Sequence, residues 1–240
     1  MKKFEYKEID KEGWETLDAI AEADKFNEWM YNTIRPYCRG KILEIGSGIG
    51  NISEFFVKAK SNIVLSDIRP AYCDVLRTKF PGYKVIEMNL THPEFESVYR
   101  DHINTYDTVF ALNVVEHIQD DGLALRNCHK LLMKGGKVVI LVPAYMWLYN
   151  RFDTELEHFR RYNRSRLNQV LKDAGFNIIH SQYFNMMGIP GWYVSGKLQR
   201  NKTIPKNQMA LYNKLVPVFR LVDICVFNTV GLSVISVGGK

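Results

Sequence analysis

The sequence predicts an α/β protein built on a seven-stranded, mostly parallel sheet, and three observations carry that expectation. Short apolar runs suited to buried strands alternate with helix-patterned stretches, the arrangement of a parallel sheet covered on both faces. No internal repeat or Gly/Ser-rich linker interrupts the alternation. The chain's 240 residues suffice for one core of this kind, and 46% hydrophobic with 24% charged residues excludes fibrous and disordered classes. We read residues 1–240 as one domain: a helical cap over 1–38, a core over 39–184, an insertion or lid over 185–209, and a helix with an edge strand over 210–240.

In chain order, residues 14–37 carry Trp14, Leu17, Ile20, Phe26, Trp29, Met30 and Ile34 in a roughly helical pattern, expected to cap the carboxyl edge of the sheet. Five parallel strands are expected at 41–45, 62–66, 83–88, 106–112 and 137–142. Between them a helix is expected over 52–59 and another over about 120–133, where Leu125, Cys128 and Leu132 share a stripe and Gly135 lies beyond the end. Asn163 or Ser165 can cap a further helix whose face is Leu167, Val170, Leu171 and Ala174, with Gly175 ending it. Residues 176–184 and 231–237 read as strands of an antiparallel edge, with a helical stretch over 208–225 between them. The stretch 185–205 mixes Gly188, Pro190, Gly191 and Pro205 with Trp192 and Tyr193, as a surface insertion or lid would.

Charge and cysteines bound the setting. The net charge of 32 − 26 = +6 permits an anionic partner without demanding one, since a solvated lysine face has the same balance. Cys38, Cys73, Cys128 and Cys225 form no Cys-x-x-Cys pair, as expected of reduced residues in the cytoplasm. Residues 138–149 are the longest strongly apolar stretch, too short for a membrane span and broken by Pro143. No apolar run follows the lysines at the start, so a standard secretion signal is not expected.

The strongest signal is Glu44-Ile-Gly46-Ser47-Gly48-Ile-Gly50-Asn51, directly after the first strand and before a helix. Glycines at spacing two remove the β-carbons that would keep a ligand off the turn, and the helix amides behind it favour negative charge. Asp67 ends the second strand 21 residues after Gly46, where an open α/β sheet sets an acid against a ribose. It can equally cap the helix that begins near Pro70. Nicotinamide enzymes share both features, so an oxidoreductase stays open at this point.

The pattern Glu44-x-Gly46-x-Gly48-x-Gly50, then Asp67, Asn89-Leu90, Asp107 and Asn113-Val-Val-Glu116-His117, resembles the successive motifs of class I S-adenosylmethionine-dependent methyltransferases over about residues 26–184. Phe26-Asn27-Glu-Trp29 and residues 148–162 are also similar to a bacterial subgroup sometimes fused to glycosyltransferases. The resemblance implies a Rossmann-like, doubly wound sheet and S-adenosylmethionine as cofactor. It implies that Gly46, Ser47, Gly48 and Gly50 line the methionine and ribose, with Glu44 near the ammonium group. Asp67 would bind the ribose hydroxyls, and Ile68, Asn89 and Leu90 would flank the adenine; many relatives carry aspartate at the Asn89 position. Asn113 and Val114 would sit beside the methionine, and Glu116 and His117 would begin the wall around the methyl group.

Methyl transfer from a sulfonium gains mainly from alignment, and a base helps where the acceptor starts protonated. His158, His117 and Tyr162 are the candidate catalytic residues, with Arg160 and Arg161 placed to hold a carboxylate or phosphate of the acceptor. His117 can equally tie its loop to the next helix, and 155–162 can be a salt-bridged surface segment. Asp153, Glu155, Glu157 and His158 match no metal spacing, so no metal is expected. The expected activity is methyl transfer to a small or lipid-linked acceptor that can be anionic. The alternatives are RNA methylation, favoured by Arg160, Arg161, Arg164, Arg166, Lys197, Arg200, Lys202 and Lys206, and a cofactor-binding module without catalysis. The apolar stretch 211–237 is expected to pack as core, with an acceptor tunnel or membrane contact as its other reading.

Overall fold

The seven expected strands lie in one sheet in a computed structural model that describes residues 11–198 and 206–240. Arg200, Lys202, the residues before 11 and part of the expected lid lie outside the described residues. The strands are β1 (Ile42–Ile45), β2 (Ile63–Asp67), β3 (Lys84–Glu87), β4 (Tyr106–Leu112), β5 (Leu132–Pro143), β6 (Asn177–Phe184) and β7 (Ser233–Gly239). Their order is β3-β2-β1-β4-β5-β7-β6. β1 to β5 run parallel, and β7 lies antiparallel between β5 and the outermost β6.

Ten α-helices accompany these strands among the described residues: α1 (Lys11–Ala21), α2 (Asp24–Ile34), α3 (Ser53–Lys58), α4 (Pro70–Lys79), α5 (Phe95–Val98), α6 (Asp121–Leu131), α7 (Arg151–Glu155), α8 (Arg164–Asp173), α9 (Gly188–Trp192) and α10 (Lys206–Cys225). The period of two along each strand divides the core. Leu43, Ile45, Val109, Ala111, Val138 and Ile140 pack against α5, α6 and α8. Ile42, Leu65, Phe110, Val139 and Leu141 pack on the other side with α2, α3, α4 and α10. Local chemistry sets the helix starts: Asp120 Oδ1 accepts the Leu123 amide at 2.8 Å, and Asn163, rather than Ser165, accepts the Arg166 amide at 2.8 Å.

Besides β7, expected at the edge but lying between β5 and β6, three elements depart from the sequence expectation. α6 stops at Leu131, and β5 begins at once because Leu132 already pairs with Tyr106. Gly135, with φ +79°, therefore belongs to a bulge within β5 and not to a helix end, since the next paired residue is Lys137 with Thr108. The cap is also divided. α1 stands over the glycine turn, where Asn51 donates to the Leu17 carbonyl at 2.9 Å. α2 lies on the sheet face instead, with Trp29 against Phe184 at 4.4 Å and Tyr31 against Phe56 at 4.9 Å between ring centroids. The third is the lid, which from 188 to 198 is helical, with Trp192 packed against Phe152 at 4.9 Å.

Candidate active site

The strand order reverses between β1 and β4, and a crevice opens at the carboxyl ends of strands where such a reversal occurs. The turn after β1 fills the floor of that crevice. Gly46 and Gly50 adopt φ +69° and +81°, backbone that side chains rarely take. A β-carbon on Gly46 would come within 2.4 Å of Val114, and one on Gly50 within 2.5 Å of the Phe80 ring. Three bonds tie the turn to β2: Ser47 N–H donates to the Ser66 carbonyl at 2.8 Å, Ser66 N–H to Ser47 Oγ at 3.2 Å, and Gly48 N–H to Asp67 Oδ2 at 3.0 Å. Asp67 Oδ1 accepts the Arg69 amide at 3.0 Å, so this carboxylate braces the turn while α4 starts at Pro70 without a side-chain cap.

A cavity of about 360 Å³ opens above the turn. Glu44, Gly46, Ser47, Gly48, Asp67, Ile68, Asn89, Leu90, Asn113 and Val114 line it, and so do His117, His158 and Arg161. Gly50, Arg160 and Tyr162 do not. Gly50 faces the packing of α4 onto the turn, against Leu76 and Phe80. Arg160 spends its guanidinium on the carbonyls of Ile118 and Gln119 and on Asp121 at 3.0 Å, which removes it from acceptor binding. Tyr162 is buried and donates its hydroxyl to Asp121 at 2.8 Å, so it braces α6 and does not reach the reaction space. Arg161 lines the cavity, yet its donors go to Asp153 at 2.7 Å and the Ala144 carbonyl at 3.0 Å, with its guanidinium over the Trp192 ring. An anionic acceptor thereby loses the two partners expected for it. Asn89 lines the cavity with its Oδ1 already accepting from the Thr91 amide and hydroxyl at 2.9 and 3.0 Å.

Buried acids dominate the cavity's electrostatics. Burial pushes the Glu44 carboxyl up to about 7 against the lowering hydrogen bonds of Ser53 and Ser47, and burial raises Asp67 as well. Glu116 is fully buried, pushed up to about 8 by that burial, and neither of its oxygens has a hydrogen-bond partner. Burial, aided by the positive charge of Arg69, takes His117 down to about 3. Asp153 is the exception: burial alone would raise it, but hydrogen bonds from His158 and Arg161 outweigh that and hold it below the ordinary carboxylate range. His158 Nδ1 lies 2.8 Å from Asp153 Oδ1. An ionised carboxylate only accepts, so Nδ1 carries the proton and Nε2 is the nitrogen left for chemistry.

The sequence places the amino-terminal helices and the 185–209 insertion over the site, without singling out Thr16 and Asn27 or saying which cap and lid side chains line it. Thr16, Leu17 and Ile20 of α1, Phe26, Asn27 and Met30 of α2, and Trp192 of α9 reach the cavity. Their helical pattern was legible, but nothing in it said which face would meet the turn. Glu116, His117 and His158 come together although 41 residues separate the two histidines.

The residues present suit a cation-bearing adenosyl ligand: a turn with glycines at alternate positions, and beside it buried carboxyls bonded to backbone amides and a serine hydroxyl. This fold with this site defines a class I S-adenosylmethionine-dependent methyltransferase. Comparison with known proteins agrees, since a family model described as a methyltransferase domain matches residues 19–181. The chain belongs to that methyltransferase-domain family, and S-adenosylmethionine is its cofactor. It is 24% identical over 166 residues to a probable S-adenosylmethionine-dependent methyltransferase of Mycobacterium tuberculosis, covering 65% of this chain and 58% of that protein. It is 26% identical over 162 residues to a highly reducing polyketide synthase of Pyrenophora dematioidea, covering 58% of this chain and 6% of that protein. The chain thus spans less than two thirds of the length of either relative. Phosphoethanolamine N-methyltransferase 2 of Haemonchus contortus, solved in complex with S-adenosyl-L-methionine, shares the fold at a TM-score of 0.61 and 16% identity, over 96% of this chain and 58% of that one. A methyltransferase from Archaeoglobus fulgidus shares it at 0.59 and 17%, over 89% and 94%.

Proposed function

We propose that the chain transfers a methyl group by in-line displacement to a small or lipid-linked acceptor held on the His158 side of the cavity. The observation that carries this reading is the pair of buried carboxyls, Glu44 and Asp67, flanking a turn closed to side chains. S-adenosylmethionine supplies a methyl group already activated on a cationic sulfur. Gly46, Ser47 and Gly48 give it a smooth floor, and Asp67 takes the ribose hydroxyls on lone pairs that its two amide donors leave. Glu44 meets the ammonium group, Ile68, Asn89 and Leu90 flank the adenine, and Asn113 and Val114 border the methionine. Leu17, Phe26, Met30 and Trp192 exclude water and fix orientation, which supplies most of the rate in this chemistry. His158, oriented by Asp153, lines the cavity on the side where the acceptor would lie.

Two features bear on acceptor class. α10 exposes Leu211, Leu215, Val218, Leu221 and Ile224, with Phe227 just beyond it 84% exposed, and Lys214 and Arg220 are exposed along the same helix. Apolar side chains with cations suit an anionic lipid surface, which favours a lipid-linked acceptor. RNA has less support, because Arg160 and Arg161, two of the basic residues expected to serve it, bond the Gln119 and Ala144 carbonyls. All four cysteines are free, which supports a reducing, cytoplasmic setting. The test is transfer of labelled methyl from S-adenosylmethionine to three acceptor pools: polar small molecules, lipid extracts and RNA. Label in the lipid or small-molecule pool supports the reading, and label confined to RNA overturns it.

A further inference from the structure

We propose that Glu116, His117 and His158 form a binding site for a divalent transition-metal cation, at the acceptor side of the cavity. One ligand atom from each residue lies within 4.8 Å of the other two, and among the described residues no other such group of histidine, cysteine and acidic side chains occurs. The independent observation is Glu116. Its carboxylate is fully buried, lines the cavity, and has no hydrogen-bond partner on either oxygen. A buried carboxyl with no partner on either oxygen leaves its acceptor lone pairs to a cation or donor that enters the cavity. No lysine or arginine is bonded to it, and Arg161, the cation that acts on it through space, is committed to Asp153 and Ala144.

The surroundings have the form that metal-binding imidazoles require. A ligating histidine donates its other ring nitrogen to a carboxylate or carbonyl, which fixes tautomer and orientation. His158 gives Nδ1 to Asp153, leaving Nε2, and the Leu156 backbone acts on the His117 ring. The two imidazole rings meet edge to face, 4.5 Å between centroids. Two ligand atoms each about 2.1 Å from one ion lie at most about 4.2 Å apart, so side-chain rotation of about 1 to 2 Å closes the set. Two imidazole nitrogens and one carboxylate oxygen suit zinc, iron, cobalt or manganese and not magnesium or calcium, whose preferred ligands are oxygens. Three protein ligands leave coordination positions open towards the cavity, where an acceptor oxygen can bind. The ion site stands on its own ligands; only its service to the acceptor rests on the methyltransferase reading above.

The test is titration of chelator-treated wild-type protein with Co²⁺, followed by visible absorption, and with Zn²⁺, followed by calorimetry. One ion per chain is expected, with a Co²⁺ spectrum that Zn²⁺ erases and a tenfold excess of Mg²⁺ does not. Glu116→Gln, checked for folding by its thermal transition, is expected to weaken Zn²⁺ at least tenfold, and Asp153→Asn about 10- to 100-fold through loss of the outer hydrogen bond. Absence of stoichiometric Co²⁺ and Zn²⁺ binding in the wild type overturns the proposal, as does unchanged affinity in folded Glu116→Gln. Titration of the same wild-type preparation with S-adenosylhomocysteine reads the cofactor site separately, so a failed metal site and a failed methyltransferase reading give different results.

Discussion

Asp67 accepts one backbone amide on each oxygen and still faces the cavity, so a single carboxylate holds the glycine turn and keeps lone pairs for the ribose hydroxyls proposed to bind there. Asp67→Ala is expected to weaken S-adenosylhomocysteine at least about 30-fold, roughly the 2 kcal/mol of a charged hydrogen bond. Glu44 adds a pH dependence whose sign follows from its raised value. The protonated form is favoured on folding, so its stabilising contribution is complete below about pH 4.5 and is lost as pH rises through about 7. A cationic ligand reverses the preference, and affinity should rise about tenfold from pH 6 to 8 and level off above 7. Asp67, also raised, shifts the same way, the Cys38 thiol is pushed up to about 12 and stays neutral, and the Ser47 and Ser53 hydroxyls do not titrate. Calorimetry across pH checks this: Glu44→Gln should flatten the profile, and an unchanged profile rejects the assignment. Tyr162→Phe should cost about 1 kcal/mol of stability with kcat unchanged, because the hydroxyl serves Asp121. The motif residues around the turn were legible because a tight turn between a strand and a helix needs glycines at fixed spacing, Gly46 against Val114 and Gly50 against Phe80, with an acid at the end of the next strand to hold it. The fate of Arg160 and Arg161 was not, since a sequence does not reveal which carbonyls and carboxylates will claim their donors.

The elements follow from local rules wherever a cap or a break is strong. Asp120→Ala should destabilise the protein by about 1 kcal/mol, as loss of an N-cap does, and thermal unfolding measures it. α6 and α8 were readable from cap, stripe and glycine, whereas Gly135 was misread because a glycine beyond a helix and a glycine in a bulge look alike in sequence. α1 was legible as a helix but not as the roof of the turn, where Leu17 packs over Gly48. Leu17→Asp places a carboxylate in that contact. It is expected to disorder the roof and weaken S-adenosylhomocysteine about tenfold or more, with the thermal transition of the ligand-free protein lowered far less than by a core change.

For the whole molecule, strand count and direction were written in the alternation of apolar runs, including the antiparallel pairing of the last two strands. The position of β7 between β5 and β6 was not, because neighbouring order depends on long-range pairing that no local pattern encodes. The meeting of Glu116 and His117 with His158 has the same origin: β4 and the segment after α7 converge only once the sheet is assembled. α10, read as core by default, leaves much of its apolar surface exposed. Sedimentation with anionic vesicles should therefore bring the protein down, and Leu221→Asp should release it. The most direct measurement is calorimetric titration of the wild type and a folded Asp67→Ala variant with S-adenosylhomocysteine. We expect saturable one-to-one binding in the first and at least about 30-fold weaker binding in the second. No binding by the wild type at millimolar ligand, or equal affinity in the two proteins, would contradict the account.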